Sequence, residues 1–225
     1  MANEAILKAL EGVTHILGPI TRKDGMILPL LIDTVPLMFQ PASFKLLIEE
    51  LSKEVKQMDI EVVAGGVTIG VPLAAGVALT VGKKFAVVRK EPKGYSQKRV
   101  VDGSIEQLDR VVLLDDFYVN GEMKELFISH LAGVGGAVTD ILSVGLLSEK
   151  LLRDWLLKFP NIRVHYLATY VDMSRRLMNR GIISPKLNEV VEYFVTDPYN
   201  WQKNKEIWNM FNSLLPTEPL SKTCL

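Results

Sequence analysis

The sequence predicts an α/β fold, in which helices cover both faces of a central, mainly parallel β-sheet. Short apolar segments alternate along the chain with segments whose apolar residues recur every three or four positions, as βα repeats do. The 225 residues are 48% hydrophobic and 23% charged, which is typical of a globular domain and suits one domain or one domain with an appendage. Ligands of such sheets bind outside the carboxyl ends of the strands.

The first half of the chain already shows this alternation. Residues 41–58 form an amphipathic pattern in which Phe44, Leu47 and Leu51 share one face. Pro72 suits the first turn of a further helix. The predicted elements are, in order, a short helix at 2–10, a turn-rich segment at 18–26, a strand at 28–33, a helix at 41–58, a strand at 61–64, a helix at 72–81 and a strand at 85–88.

The second half continues the pattern. Residues 91–102 are polar and highly charged, so we expect a mobile loop there. Trp201, Trp208 and Phe211 lie in an aromatic segment that we expect to cover the core or a dimer face. The remaining predicted elements are a strand at 111–114, a helix from Met123 to Val134, a strand at 139–146, a helix at 149–159, a strand at 164–169, a separate segment at 188–212 and a frayed end at 216–225.

Charge and cysteine content narrow the class of protein. Lys plus Arg and Asp plus Glu each total 26, which argues against a nucleic-acid-binding domain. The single cysteine, Cys224, excludes an intramolecular disulfide and fits a reducing compartment. The first residues lack the pattern of a signal peptide, and Gly and Pro interrupt the longest apolar stretch, at 67–81. We therefore expect a cytoplasmic protein without a membrane partner.

Residues 111–123 carry the most informative motif of the chain. Four apolar residues are followed by Asp115 and Asp116, then by a turn containing Gly121 and by the start of a helix. The N–H groups of a first helical turn can hold an anion, and the carboxylates can hold sugar hydroxyls or a metal. The alternative is an ordinary strand-turn-helix unit with a solvated acidic pair.

Two further segments fit a phosphorylated ligand. The turn after residue 64 contains Gly65, Gly66 and Gly70 and precedes a helix N-terminus, which suits a second anion. A cationic run follows the next strand, and it could neutralise a polyphosphate leaving group, although most such runs are solvated surface. Its members are Arg89, Lys90, Lys93, Lys98 and Arg99.

The order of these constellations resembles that of the type I phosphoribosyltransferases. The segments Arg89-Lys90-Glu91-Pro92-Lys93-Gly94-Tyr95 and Lys98-Arg99-Val100-Val101-Asp102-Gly103 are similar to the catalytic loop of orotate phosphoribosyltransferases. Lys23-Asp24-Gly25, Pro29 and Ile32-Asp33 are similar to the hood that covers the base in that family. The similarity extends over residues 15–180 and implies an N-terminal hood at 1–40, a phosphoribosyltransferase core at 41–185 and a C-terminal helical extension at 186–225.

The resemblance implies a glycosyltransferase (a pentosyltransferase) of pyrimidine nucleotide synthesis. Orotate or a related base would displace pyrophosphate from phosphoribosyl pyrophosphate, with Mg²⁺ held mainly by substrate oxygens and no direct protein ligand. Asp115, Asp116, Lys93 and Tyr95 would be catalytic, the last two reaching the neighbouring subunit of a homodimer. The implied substrate-binding residues are Lys23, Arg89, Lys90, then Thr68, Ile69 and Gly70 for pyrophosphate, and Val119, Asn120, Gly121, Glu122 and Met123 for the 5-phosphate.

The chain also departs from the family pattern. Val119 and Met123 stand where the 5-phosphate turn usually carries hydroxyl groups, and losing two hydrogen bonds to a charged acceptor would cost about 3–6 kcal/mol of phosphate binding. In the hood, Asp24, Leu28 and Val35 replace the usual hydroxyl or basic groups. A second hypothesis is therefore a non-catalytic phosphoribosyltransferase-like protein that binds a nucleotide or phosphoribosyl ligand as a sensor or interaction module.

Overall fold

The computed structural model describes residues 6–7, 14–92 and 99–215 and confirms the predicted fold class. A six-stranded sheet has the order β5-β4-β3-β6-β7-β8, and β1 and β2 form a separate two-stranded sheet. The strands are β1 (Thr14–Thr21), β2 (Ile27–Asp33), β3 (Val62–Gly66), β4 (Lys84–Val88), β5 (Val101–Gly103), β6 (Arg110–Tyr118), β7 (Ala137–Leu146) and β8 (Arg163–Thr169). The helices are α1 (Pro41–Val55), α2 (Gly70–Val81), α3 (Glu122–Ala132), α4 (Glu149–Leu156), α5 (Tyr170–Asn179), α6 (Pro185–Phe194) and α7 (Lys205–Asn212).

The sheet brings the carboxyl ends of its central strands to one edge. β4, β3, β6, β7 and β8 run parallel, and only the edge strand β5 is antiparallel. Gly65 of β3 is paired with Leu114 of β6, and Asp115 is paired with Ser143 of β7. The turn after β3 and the acidic pair of β6 therefore lie on adjacent strands.

Apolar side chains form one hydrophobic cluster on each face of the sheet. The smaller cluster joins Phe127 and Leu131 of α3 to Trp155 of α4. The larger cluster includes the hood hairpin β1–β2 and the C-terminal helices, so the aromatic segment covers the core, one of the two placements predicted for it. Its members include Leu30, Leu47, Leu73, Met173, Val190, Trp201 and Phe211.

Four sequence-based boundaries were wrong. Residues 18–26 are not a turn throughout, because β1 continues to Thr21 across a register shift between Leu17 and Ile20. β6 does not end before the acidic pair, because Phe117 and Tyr118 still pair with β7. The expected loop at 91–102 ends in β5, which pairs with β4, and the helix predicted at 149–159 ends at Leu156.

In the part of the chain that the structure describes, no helix combines the length and apolar character needed to cross a membrane. Residues 2–5, 8–10 and 216–225, to which a helix and a frayed end were assigned, lie outside the described residues.

Candidate active site

A cavity of about 290 Å³ lies between the hood strand β2 and the carboxyl end of β6. Its hood side is mostly apolar, whereas the core side carries the acidic pair and the turn that follows it. The hood contributes Arg22, Leu28, Leu30, Leu31, Ile32, Asp33 and Thr34, and the core contributes Asp115, Asp116, Phe117, Val119, Asn120, Gly121, Met123, Lys124, Leu147 and Tyr170. Six of the residues predicted for the site thus line one cavity.

The acidic pair is held by backbone and side-chain donors. The backbone N–H of Asp116 donates to Oδ1 of Asp115 at 3.1 Å, and the N–H of Phe117 donates to Oδ1 of Asp116 at 2.7 Å. Burial raises the pKa of Asp116 to about 6, and the negative charge of Asp115 adds to this rise. Asp116 therefore exchanges its proton much closer to neutral pH than an ordinary carboxyl group does.

Lys124 is a site residue that the sequence analysis missed. It is only 5% exposed, and its Nζ forms an ion pair with Oδ2 of Asp115 and donates to the carbonyl oxygen of Phe117 at 3.0 Å. A signal was present, because Lys124 lies three and seven positions before Phe127 and Leu131 and therefore shares their buried face. The apolar pattern predicted for this helix includes Phe127, Leu131 and Val134 but not Lys124, and Val134 is 43% exposed.

The turn between β6 and α3 contributes to the cavity wall four of the five residues for which 5-phosphate binding is predicted. Val119, Asn120, Gly121 and Met123 face it, whereas Glu122 is exposed and does not. The side-chain oxygen of Asn120 accepts the backbone N–H of Glu122 at 3.3 Å, so part of the helix N-terminus is already satisfied. The remaining N–H groups of this turn are the donors that an anion could use.

Three hydrogen-bonded side chains connect this turn to the hood and to the C-terminal extension: Asp24, Asn120 and Tyr199. Nδ2 of Asn120 donates to Asp24 at 3.1 Å and to the phenol oxygen of Tyr199 at 3.2 Å. The Tyr199 hydroxyl also lies 3.4 Å from Oδ2 of Asp24, and Arg22 bonds the same carboxylate at 3.3 Å. Asp24, a departure from the family pattern, is therefore part of a structural network.

The glycine-rich turn lies beside the cavity without lining it. Thr68, Ile69 and Gly70 open helix α2, and the backbone N–H of Val67 donates to Val88 O at 2.9 Å. A Cβ atom on Gly70 would lie 2.4 Å from the carbonyl oxygen of Leu114, so only glycine allows the turn to approach β6 this closely. The Val67–Thr68 peptide bond is cis.

The cationic residues that were predicted for the site do not line the cavity where the structure describes them. Nη2 of Arg89 bonds Asp102 at 3.1 Å, while Lys90 and Lys23 are exposed and do not line the cavity. From the hood it is Arg22, the residue before Lys23, that lines the cavity. Lys93 and Tyr95 lie outside the described residues, and the substrate roles assigned to all of these side chains stay predictions.

Thr34 is a second residue that the sequence analysis missed. It lines the cavity, is 3% exposed, and its hydroxyl oxygen has no hydrogen-bond partner among the residues that the structure describes.

Among the described residues, His, Cys, Asp and Glu form no group of three or more that could hold a metal ion. A divalent cation here would have to take most of its ligands from a substrate or from water.

A larger cavity of about 660 Å³ lies at the carboxyl ends of β7 and β8. No residue predicted for the site lines it. Its charged side chains are paired on the surface, as between Arg175 and Glu192 at 2.7 Å and between Arg153 and Glu149 at 3.8 Å. The smaller cavity is therefore the candidate active site.

Comparison with known proteins confirms the resemblance predicted from the sequence. No family model matches. The chain is 31% identical over 144 residues to an orotate phosphoribosyltransferase of Dinoroseobacter shibae, an alignment that covers 63% of this chain and only 62% of that relative. It is 28% identical over 191 residues to the orotate phosphoribosyltransferase of Cereibacter sphaeroides, covering 82% and 81% of the two chains. The crystal structure of orotate phosphoribosyltransferase from Aeropyrum pernix superposes with a TM-score of 0.60 at 26% identity, over 78% of this chain and 96% of that one.

Proposed function

We propose that this orotate phosphoribosyltransferase-like chain transfers the phosphoribosyl group of phosphoribosyl pyrophosphate to orotate or a related base and releases pyrophosphate. The observation that carries the proposal is the position of Asp115 and Asp116. They line a cavity that has the hood strand β2 as its opposite wall, and they lie between two turns that each precede a helix at the carboxyl edge of the sheet. This arrangement suits a ribose with an anionic group on either side.

The proposed chemistry asks the protein to hold the ribose while charge develops on it. The bond from ribose C1 to the pyrophosphate oxygen breaks, a bond to the base nitrogen forms, and positive charge develops on the ring between these events. A carboxylate beside the ribose stabilises that charge and accepts hydrogen bonds from the hydroxyl groups of the ribose. The N–H groups that open α3 would hold the 5-phosphate, and those that open α2 would hold the leaving pyrophosphate.

The donor set is compatible with a Mg²⁺ ion carried by the substrate. The cavity offers the carboxylates of Asp33, Asp115 and Asp116, of which Asp115 is already paired with Lys124. Mg²⁺ keeps several waters and binds through few protein carboxylates when substrate phosphates are present. Bound in this way, it would neutralise part of the charge on the pyrophosphate.

The proposal takes two further elements from the resemblance. Lys93 and Tyr95 would act on the leaving group, and the protein would be a homodimer in which they serve the neighbouring subunit's site. Light scattering of the purified protein tests the dimer, for which we expect a mass near twice the 25.1 kDa of one chain. A monomeric mass would leave those two residues without this role.

The decisive experiment is an assay of the purified protein with orotate, phosphoribosyl pyrophosphate and Mg²⁺. We expect formation of orotidine monophosphate and pyrophosphate, strongly reduced in Asp116→Asn and unchanged in the control Asp154→Asn, whose carboxylate is 62% exposed on α4. Calorimetry with phosphoribosyl pyrophosphate accompanies the assay. Tight binding without turnover of any base in a pyrimidine and purine panel would favour the non-catalytic hypothesis, and absence of binding would contradict both.

A further inference from the structure

Lys124 introduces a buried cation into the candidate site. Its Nζ contacts the carboxylate of Asp115 and the carbonyl oxygen of Phe117, and the residue is 95% buried. A buried lysine in a hydrophobic cluster is unfavourable unless it is paired and hydrogen-bonded, and here both conditions are met within the cavity wall. The side chain is therefore fixed in one place beside the acidic pair.

The pairing divides the two carboxylates into unequal partners. Both oxygens of Asp115 are engaged, Oδ2 by Lys124 and Oδ1 by the backbone N–H of Asp116. Asp116 receives one N–H group, from Phe117, on Oδ1. Asp116 also contacts the carboxyl group of Asp115 and lies within the field of Lys124, but no described side chain forms an ion pair with it, so it keeps acceptor capacity toward the cavity.

We propose that Lys124 is a positioning residue whose ion pair with Asp115 leaves Asp116 as the carboxylate that binds the ribose hydroxyls. The inference rests on the proposed function, because it names the residue that binds the ribose hydroxyls in that reaction. It assigns Asp115 a structural role: this carboxylate neutralises Lys124 and fixes the position of the segment that carries Asp116.

The charges around the pair determine what happens when Lys124 is removed. The other charged groups that line the cavity are Arg22, which is bonded to Asp24, and Asp33, whose Oδ1 accepts the N–H of Val35 at 3.0 Å. Arg22 is therefore not available to replace Lys124 as the cation beside Asp115, and Asp33 has the wrong charge to do so. In Lys124→Met two adjacent, partly buried carboxylates would face each other without a cation. Their repulsion favours the retention of a proton by the pair, which then accepts fewer hydrogen bonds from the ribose hydroxyls.

Calorimetry with phosphoribosyl pyrophosphate and Mg²⁺ on the wild type and three variants tests the division of roles. We expect Asp116→Asn to weaken binding by about 10- to 100-fold, as loss of one hydrogen bond to a charged acceptor does. Lys124→Met should weaken it at least tenfold at pH 6 and less at pH 9, where the carboxylates ionise. The double variant Lys124→Met/Asp115→Asn removes the cation and its partner together, and at pH 6 it should bind the ligand at least about threefold more tightly than Lys124→Met.

The outcomes separate this inference from the proposed function. If wild type binds the ligand but the double variant is weaker than both single variants, Asp115 is itself a ribose ligand and the inference is overturned while the function stands. If wild type does not bind, the proposed function fails. Carbon-detected NMR of the Asp116 carboxyl group gives a readout without ligand: Asp116 should titrate near pH 6, and this midpoint should rise in Lys124→Met. A midpoint of Asp116 that does not change in Lys124→Met would overturn the inference.

Discussion

Gly121 leaves no room for a side chain in the turn that would hold the 5-phosphate. Its φ is +80°, and a Cβ atom would lie 2.3 Å from Cδ1 of Trp155 and 2.6 Å from the hydroxyl oxygen of Tyr118. We expect Gly121→Ala to lower the free energy of unfolding by about 3–4 kcal/mol, combining a strained backbone with overpacking. Urea unfolding followed by circular dichroism measures this loss.

Gly181 supplies the matched control for that substitution. Its φ is +71°, but no heavy atom lies within 4 Å of the position of a Cβ atom. Gly181→Ala should therefore lower the free energy of unfolding only by the cost of the strained backbone, about 1–2 kcal/mol. Equal losses in the two variants would mean that the contact with Trp155 does not constrain the turn.

Asp116 gives the protein a pH dependence whose direction follows from its raised pKa. The carboxyl group titrates at about 6 in the folded chain and at 3.8 when unfolded, so the folded state binds this proton more tightly. Its contribution to stability is fully present below pH 4 and is lost as the pH rises through 6. We expect the difference in unfolding free energy between wild type and Asp116→Asn to fall by up to about 3 kcal/mol from pH 4 to pH 7.

Denaturant titrations of the two proteins across this range give the difference directly, because the ionisable groups that do not interact with Asp116 contribute equally to both. A difference that stays constant with pH, or rises, would contradict the assignment.

At the residue scale the sequence identified the acidic pair but not its partner. Asp115 and Asp116 could be predicted because two acids after a buried strand are conspicuous. Lys124 could not be predicted with the same ease, because a lysine in a first helical turn is normally solvated. Only its spacing from Phe127 and Leu131 signalled burial, and the ion pair that makes this burial possible joins residues nine positions apart.

At the scale of elements, local signals were reliable where one segment determined its own structure. The buried strands and the amphipathic α1 lie close to their predicted bounds. β1 was missed because Gly18-Pro19 is typical of a turn, whereas the strand continues past these residues in the two-stranded sheet that it forms with β2. Its pairing with β2 is a tertiary property, and so is the extension of β6 beside the long strand β7.

The attachment of the hood depends on a buried hydrogen bond from Tyr170. Its hydroxyl donates to the carbonyl oxygen of Leu30 in β2, and the tyrosine is only 2% exposed. Tyr170→Phe should lower the free energy of unfolding by about 1–2 kcal/mol, because a buried carbonyl loses this donor. Hydrogen exchange of the β2 amides should accelerate, since the hood opens more often.

Tyr193→Phe is a suitable control, because the hydroxyl of Tyr193 accepts from Asn204 at 3.0 Å within the C-terminal extension and not in the hood. Acceleration of β2 exchange in this control as well would show that the effect is not specific to the contact between Tyr170 and Leu30.

At the scale of the whole molecule, the C-terminal extension and the hood share one hydrophobic core. Aromatic rings form a continuous series from the cavity to α7, with edge-to-face contacts between Phe117 and Tyr170 at 6.3 Å, Tyr170 and Phe194 at 5.9 Å, and Phe194 and Trp201 at 6.1 Å. The sequence predicted a covering helix here but not that it would support the hood, because the two segments lie at opposite ends of the chain. Buried side chains on both sides of residues 40 and 185 therefore belong to one hydrophobic cluster.

Trp201 tests whether this continuity matters for the site. The indole is fully buried, donates to the carbonyl oxygen of Ile27 in β2 at 2.7 Å and packs against Phe211 at 5.3 Å. Trp201→Ala should lower the free energy of unfolding by about 3–5 kcal/mol. The affinity for phosphoribosyl pyrophosphate should fall with it, because the hood wall of the cavity loses its support, whereas Leu157→Ala, at a residue 83% exposed on the surface, should change neither quantity. Circular dichroism in urea and calorimetry on the same samples measure both, and a destabilised Trp201→Ala with wild-type affinity would show that the extension stabilises the fold without shaping the site.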